Sequence, residues 1–262
     1  MHKQGFTLLE IAIVLVVVAL TTGGIIFARD MIRNSELRSV ISEAEYYTKV
    51  LNAFKDKYSA MPGDFLTATS IWPAAHADKN TCKTTVTDLK ATCDGDGDGW
   101  ITAQGTSSTH YEQFRAWQHL ALAGFIPDEI TPMAESGGTQ KKLVGKNIPR
   151  SKLSGAGWGI VGLTVTYVTV TDTRIMSYTT NDIPPNHVLL LGGNSFTAYP
   201  SRLHQDYVLT GVQAKAIDSK IDDGLQGSGK VVMQLHPVDV STASYSSSDS
   251  TLSYALFFKT GL

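Results

Sequence analysis

The sequence predicts an α+β protein: a long N-terminal α-helical spine, membrane-spanning in its first half and amphipathic in its second, packed on a globular domain with an antiparallel β-sheet and short helices. Three observations lead there. From Phe6 to Ala28 the only charged side chain is Glu10, and about 20 apolar residues suffice to cross a bilayer core as a helix. Past Arg29, apolar residues recur at helical spacing. From Trp158 the apolar pattern shortens to a period of two, with Gly, Pro and Ser clusters between the runs.

The spine comes first. Leu37, Ile41, Ala44, Tyr47, Leu51, Phe54 and Tyr58 fall on one face, while Arg38, Ser42, Glu45, Lys49, Asn52 and Asp56 fall on others. Read from Phe6 to Tyr58, the helix is about 80 Å long at 1.5 Å per residue. Gly23-Gly24 is its weak point, since each Gly costs nearly 1 kcal/mol relative to Ala inside a helix; the pair either melts locally or permits close helix packing. Pro62-Gly63 marks the turn that ends the spine. His2 and Lys3 precede the apolar run, which places the N-terminus in the cytoplasm and the rest on the far side. A cleavable secretory signal would carry a small-residue site behind its apolar region; here the lone Gly lies in front.

That inverted order resembles a known family. Lys3-Gln4-Gly5-Phe6-Thr7-Leu8-Leu9-Glu10 is similar to the class III leader of type IV pilins and type II secretion pseudopilins. The resemblance implies cleavage between Gly5 and Phe6 by the prepilin peptidase, methylation of the new Phe6 amine, retention of the apolar helix, and assembly with other subunits through Glu10. A carboxylate inside a span costs a few kcal/mol and is functional by default. Its expected partner is the α-amine of Phe6 on a neighbouring subunit; the competing reading pairs Glu10 with its own amine or its own helix N-terminus. Residues 1–5 are then a removed cytoplasmic leader, 6–28 the transmembrane and filament-core helix, 29–60 the amphipathic helix, and 61–262 the globular domain. The implied location is the bacterial inner membrane, then a periplasmic or cell-surface filament. Tyr58 to Phe65, Trp117 to Gly124 and Ala216 to Gly224 also resemble patterns of large pilin-like proteins.

A helix is expected between Tyr111 and Phe125, with Gly124 as its C-cap. Neither His110 nor His119 has a second ligand at metal spacing. Strands are expected where Leu163, Val165 and Tyr167 alternate with Thr164, Thr166 and Val168, and at His187 to Leu191, Lys230 to Leu235 and Leu252 to Phe258, with a short helix over roughly Thr210 to Asp222.

Cys93-Asp94-Gly95-Asp96-Gly97-Asp98-Gly99-Trp100 matches the opening of a calcium loop. Asp94, Asp96 and Asp98 repel one another unless a cation collects them, and the intervening glycines let the chain curl. The Trp100 carbonyl falls where such loops use a backbone ligand. The closing bidentate Glu is absent, because Gly105 stands there, so a further ligand must come from elsewhere, with Asp88 and Glu112 the candidates. The competing reading is a solvated acidic turn. Cys82 and Cys93 are the only cysteines, and an oxidising compartment favours a bridge between them. In the resembling family, pilins commonly carry a disulfide near the C-terminus and pseudopilins often use calcium, which tilts the choice toward a pseudopilin.

Some classes fall away. A net charge of −2 offers no basic field for nucleic acid. Gly224-Leu-Gln-Gly-Ser-Gly229-Lys230-Val231 nearly spells a phosphate-binding loop, but Val231 replaces the magnesium-holding hydroxyl and Asp222-Asp223 leads in, so no nucleotide is expected. There is no G-x-S-x-G, no H-E-x-x-H and no acid pair with a burial signal. The chain is expected to be a filament subunit with no enzymatic activity, embedded in membrane lipid before assembly. The alternative is a filament-displayed tip adhesin or other exported binding module using the same leader. Its share of a sheared filament fraction separates the two.

Overall fold

The structure is a computed structural model that describes residues 7–76, 90–102, 112–132, 141–163, 186–194, 206–233, 245, 252 and 254–262. Helix α1 runs unbroken from Leu8 to Tyr58, 51 residues or about 75 Å, and it passes straight through Gly23-Gly24. Its start is fixed by a capping box in which Thr7 caps the Glu10 amide and the Glu10 carboxylate returns to Thr7. Its end comes at Ser59, whose left-handed backbone (φ 53°) turns the chain out of the helix while its N–H donates to Lys55 O.

The two halves of α1 live in different environments. From Leu8 to Ile32 the large apolar side chains are exposed, Leu8 at 89%, so the first half is one long apolar rod able to cross a membrane by length and composition. In the second half Val40, Ala44, Tyr47, Val50, Leu51 and Phe54 are buried; Val40 and Val50 join the expected stripe, while its Leu37, Ile41 and Tyr58 are only partly buried against the core.

That stripe packs on a four-stranded antiparallel sheet of order β1-β2-β4-β3, made of β1 (Gly157–Leu163), β2 (Asn186–Gly192), β3 (Val231–Met233) and β4 (Leu256–Lys259). The register pairs Ile160 with Leu189, Leu189 with Phe258 and Val231 with Phe258. Trp158, Ile160, Leu189, Leu191, Leu256 and Phe258 face the core shared with α1. Val161, Val188, Leu190, Val232 and Phe257 form a second buried cluster. Because both alternating sets are buried, β2 reads as a continuous apolar run rather than an alternating one. The alternating run Thr164 to Val168 lies outside the described residues, of which Leu163, the last residue described in β1, directly precedes it.

Helix α2 (Glu112–Leu122) and helix α3 (Gly211–Ile221) complete the core. Gly124, at φ +74°, closes α2 as expected. A Thr210–Gln213 capping box starts α3. Tyr47 ties the layers together, with its ring 5.0 Å from Trp117 on α2 and 5.8 Å from Trp158 on β1.

A polar clamp fixes α1 to the sheet. The Glu43 carboxylate accepts hydrogen bonds from Ser151 Oγ at 2.6 Å, Lys152 N at 2.8 Å and the buried Trp158 Nε1 at 2.8 Å. Glu43→Ala orphans the indole N–H and is expected to cost roughly 1–3 kcal/mol. Denaturant unfolding of the full chain in detergent micelles measures this, and a loss under a few tenths of a kcal/mol would show that water replaces the clamp.

Candidate metal centre

The site is assembled where α1 ends. Gly63 follows the helix exit and donates its N–H to His119 Nδ1 at 2.9 Å. It sits at φ +88°, pressed so closely on the Glu112 carbonyl that a Cβ would collide with it. Gly63 therefore lays the chain against the first turn of α2, and the next residue, Asp64, arrives beside Glu112. From the other side Gly95 rests on the Asp64 backbone, with no room for a side chain, and donates to Phe65 O at 2.9 Å. Gly97 (φ +76°) and Gly99 (φ +90°) then curl the acidic loop.

The loop curls around Asp64. Asp64 Oδ1 accepts from Gly97 N at 2.6 Å and Asp98 N at 3.1 Å, and Oδ2 accepts from Gly99 N at 2.8 Å. Glu112 Oε2 accepts from Thr102 N at 2.9 Å and Thr102 Oγ1 at 2.7 Å, while Oε1 accepts from Asp96 N at 3.2 Å. The result is a four-carboxylate group: Asp64, Asp96, Asp98 and Glu112 each place one oxygen within 4.8 Å of the others. Asp64 and Glu112 are buried, whereas Asp96 and Asp98 face solvent. An ion holding oxygens at 2.3–2.6 Å fits such a spread, and the set is all oxygen.

Burial dominates the electrostatics of these carboxylates, and the buried Arg115 guanidinium interacts with Glu112. Burial pushes Glu112 up to about 8, against the pull of its Thr102 hydrogen bonds. Burial likewise pushes Asp64 up to about 7, although the Gly99 and Gly97 amides pull it down. Asp98 is raised too, by burial first. His119 is held neutral, pushed down to about 3 by burial, so it serves as a structural acceptor for Gly63.

The structure sorts the expected residues. Asp96 and Asp98 converge, and Glu112 supplies the carboxylate that Gly105 does not. Asp94 does not join them: it is buried, with Oδ1 accepting from Thr69 N at 2.8 Å. The alternation of Asp in sequence does not reveal which side chain turns inward, and here Asp94 is taken by the backbone of the Ala68–Ser70 helical turn. Trp100 closes the loop, its N–H donating to Asp98 Oδ1 at 2.8 Å and its ring stacked on His187 at 5.2 Å. Asp64 was not expected, since it lies 34 residues before Asp98; its only sequence signal is the Pro-Gly turn before it. Asp64, Glu112 and Asp218 are buried although no signal in the sequence marks them so. Cys93 is buried and is not a free thiol. Gly5, Phe6, Cys82, Asp88, Gly105 and His110 lie outside the described residues.

The segment Gly224 to Val231 turns its amides onto a side chain of the protein itself. The amides of Lys230 and Val231 both donate to the Asp222 carboxylate, so an acidic side chain occupies the donors a phosphate would need. No family model, curated protein or solved structure matches this chain.

Proposed function

We propose that the chain is a structural subunit, a pilin or pseudopilin, of a type IV pilus or type II secretion-type filament. The observation that carries this reading is the division of α1: an exposed apolar half beginning two residues after the Gly5-Phe6 junction, continuous with a half that is the core of a folded domain. Such a helix serves as a membrane anchor before assembly and as filament core afterwards. In this reading the prepilin peptidase and neighbouring subunits are the partners, and the chain undergoes chemistry without performing any. The subunit waits in the inner membrane with its globular domain outside the cytoplasm. Calcium is the ion we assign to Asp64, Asp96, Asp98 and Glu112, with the Trp100 carbonyl as backbone donor. A Cys82–Cys93 bridge pins the loop just ahead of it.

Mass spectrometry of the N-terminus in a sheared surface fraction tests the proposal. The expected chain starts at N-methylated Phe6, and an unprocessed Met1 terminus on assembled protein would overturn it. Gly5→Leu puts a side chain where the extended backbone must enter the peptidase. It is expected to accumulate as uncut precursor in the membrane fraction, visible as a slower band on a denaturing gel. A normally shortened product would remove Gly5 from the cleavage site.

A further inference from the structure

A second group of carboxylates converges at the C-terminal end of α3. Asp218, Asp222 and Asp223 each bring one oxygen within 4.8 Å of the other two. Asp218 is fully buried. Its Oδ2 accepts from Tyr245 Oη at 2.8 Å, but its Oδ1, equally buried, has no hydrogen-bond partner. Asp222 and Asp223 are held in place by the following turn. Asp222 takes the Lys230 and Val231 amides. Asp223 takes Leu225 N at 2.8 Å and Ser228 Oγ at 2.6 Å. Among the described residues none of the three forms an ion pair.

A buried carboxylate oxygen without a partner is among the more costly groups a fold can hold, and this one faces two more carboxylates. We propose that Asp218, Asp222 and Asp223 form a second cation site, separate from the first, that takes a hard divalent ion of the calcium class through the free Oδ1 of Asp218. The donor set is all oxygen, which suits calcium or magnesium rather than a thiophilic metal. It lies at a helix C-terminus, where the backbone dipole favours positive charge. Exposed Asp223 opens the group to solvent, so an ion has a way in. A proton is the competitor: burial first, and then a side-chain hydrogen bond shared with Asp222, pushes Asp218 up to about 8. One proton shared between Asp218 and Asp222 neutralises one of three charges, whereas a divalent ion answers two. The bound ion ties the end of α3 to the start of β3 and, through Tyr245, to a third segment of chain. This does not depend on the filament reading.

The test is equilibrium dialysis of the full chain in detergent micelles against calcium alone, with bound metal counted by elemental analysis. Asp223→Asn and Asp218→Asn are each expected to bind one calcium fewer per chain than the wild type, while Asp94→Asn binds as many. Wild-type calcium content in both variants overturns the site. Should Asp218→Asn fail to fold, the exposed Asp223→Asn decides alone. If Asp218→Asn instead raises the unfolding midpoint near neutral pH with calcium content unchanged, the group holds a shared proton and the proposal is wrong.

Discussion

Calcium is expected to raise the unfolding midpoint of the full chain in detergent micelles, and Asp64→Asn or Glu112→Gln to remove the share that belongs to the first site, whereas Asp94→Asn should leave it standing. The argument is mass action. The unfolded chain cannot hold carboxylates from positions 64, 96, 98 and 112 around one ion, so binding free energy becomes folding free energy. At free calcium near 100 times the dissociation constant this is about 2.7 kcal/mol, and a domain of this size moves roughly 2–4 °C per kcal/mol. Magnesium should raise the midpoint less, because it demands a tighter octahedron and gives up water reluctantly. Equal midpoints in calcium and chelator, with no metal found by elemental analysis, would reduce the loop to a solvated turn that hydrogen-bonds Asp64. Equal losses in Asp94→Asn and Asp64→Asn would return the ligand set to the one the loop sequence alone suggests.

The same site has a pH signature of fixed sign. In the metal-free protein Glu112 is raised to about 8 and Asp64 to about 7. The folded state therefore keeps protons that the unfolded chain, with ordinary carboxylates, gives up above about pH 4.5. Stability of the metal-free protein falls as pH rises through this window. A calcium ion bound there would displace those protons, so its benefit is expected to grow with pH. The midpoint difference between calcium and chelator is expected to be larger at pH 8 than at pH 5.5. A larger difference at pH 5.5 would mean that the ion binds elsewhere.

What the sequence made legible follows the range of the signal. The second half of α1 shows itself because its apolar positions repeat within the helix. Ser59 as the left-handed terminator was not legible: the breaker in sequence is Pro62-Gly63, three residues later, yet the helix had already ended. The strand order was not legible either. β4 lies between β2 and β3, and that pairing joins residues far apart in sequence through side chains of similar apolar character.

The candidate metal centre divides along the same line. Asp96 and Asp98 were visible because the loop's spacing and glycines are local. Glu112 could be named only as a candidate, and Asp64 not at all, because what delivers it is Gly63 fitting against the Glu112 carbonyl and Gly95 fitting against Asp64. Those are two close backbone approaches whose partners no local pattern specifies. Asp94 shows the converse. Its spacing was right for a ligand, but the nearby Thr69 amide claimed it.

Glu10→Gln should insert into the membrane and begin α1 normally, yet fail to enter filaments. In the single chain Glu10 is already engaged: its Oε2 accepts from Thr7 N at 2.7 Å and from Thr7 Oγ1 at 2.8 Å, and Thr7 Oγ1 accepts from the Glu10 amide at 3.3 Å. The carboxylate is thus the return half of a capping box, and Glu10→Ala would remove both that cap, at about 1 kcal/mol, and the charge. Failure of the Ala variant could not tell the two apart. Gln preserves the box, since Glu and Gln both serve at this position, and removes only the negative charge. If the charge is what receives the Phe6 amine of a neighbouring subunit inside an apolar filament core, its absence leaves that cation unpaired at a cost of a few kcal/mol per subunit, enough to abolish incorporation. The measurement is the amount of each variant in sheared filaments from cells lacking the wild-type copy, beside its amount in the membrane fraction. Gln at wild-type level with Ala absent would assign Glu10 to the helix start alone.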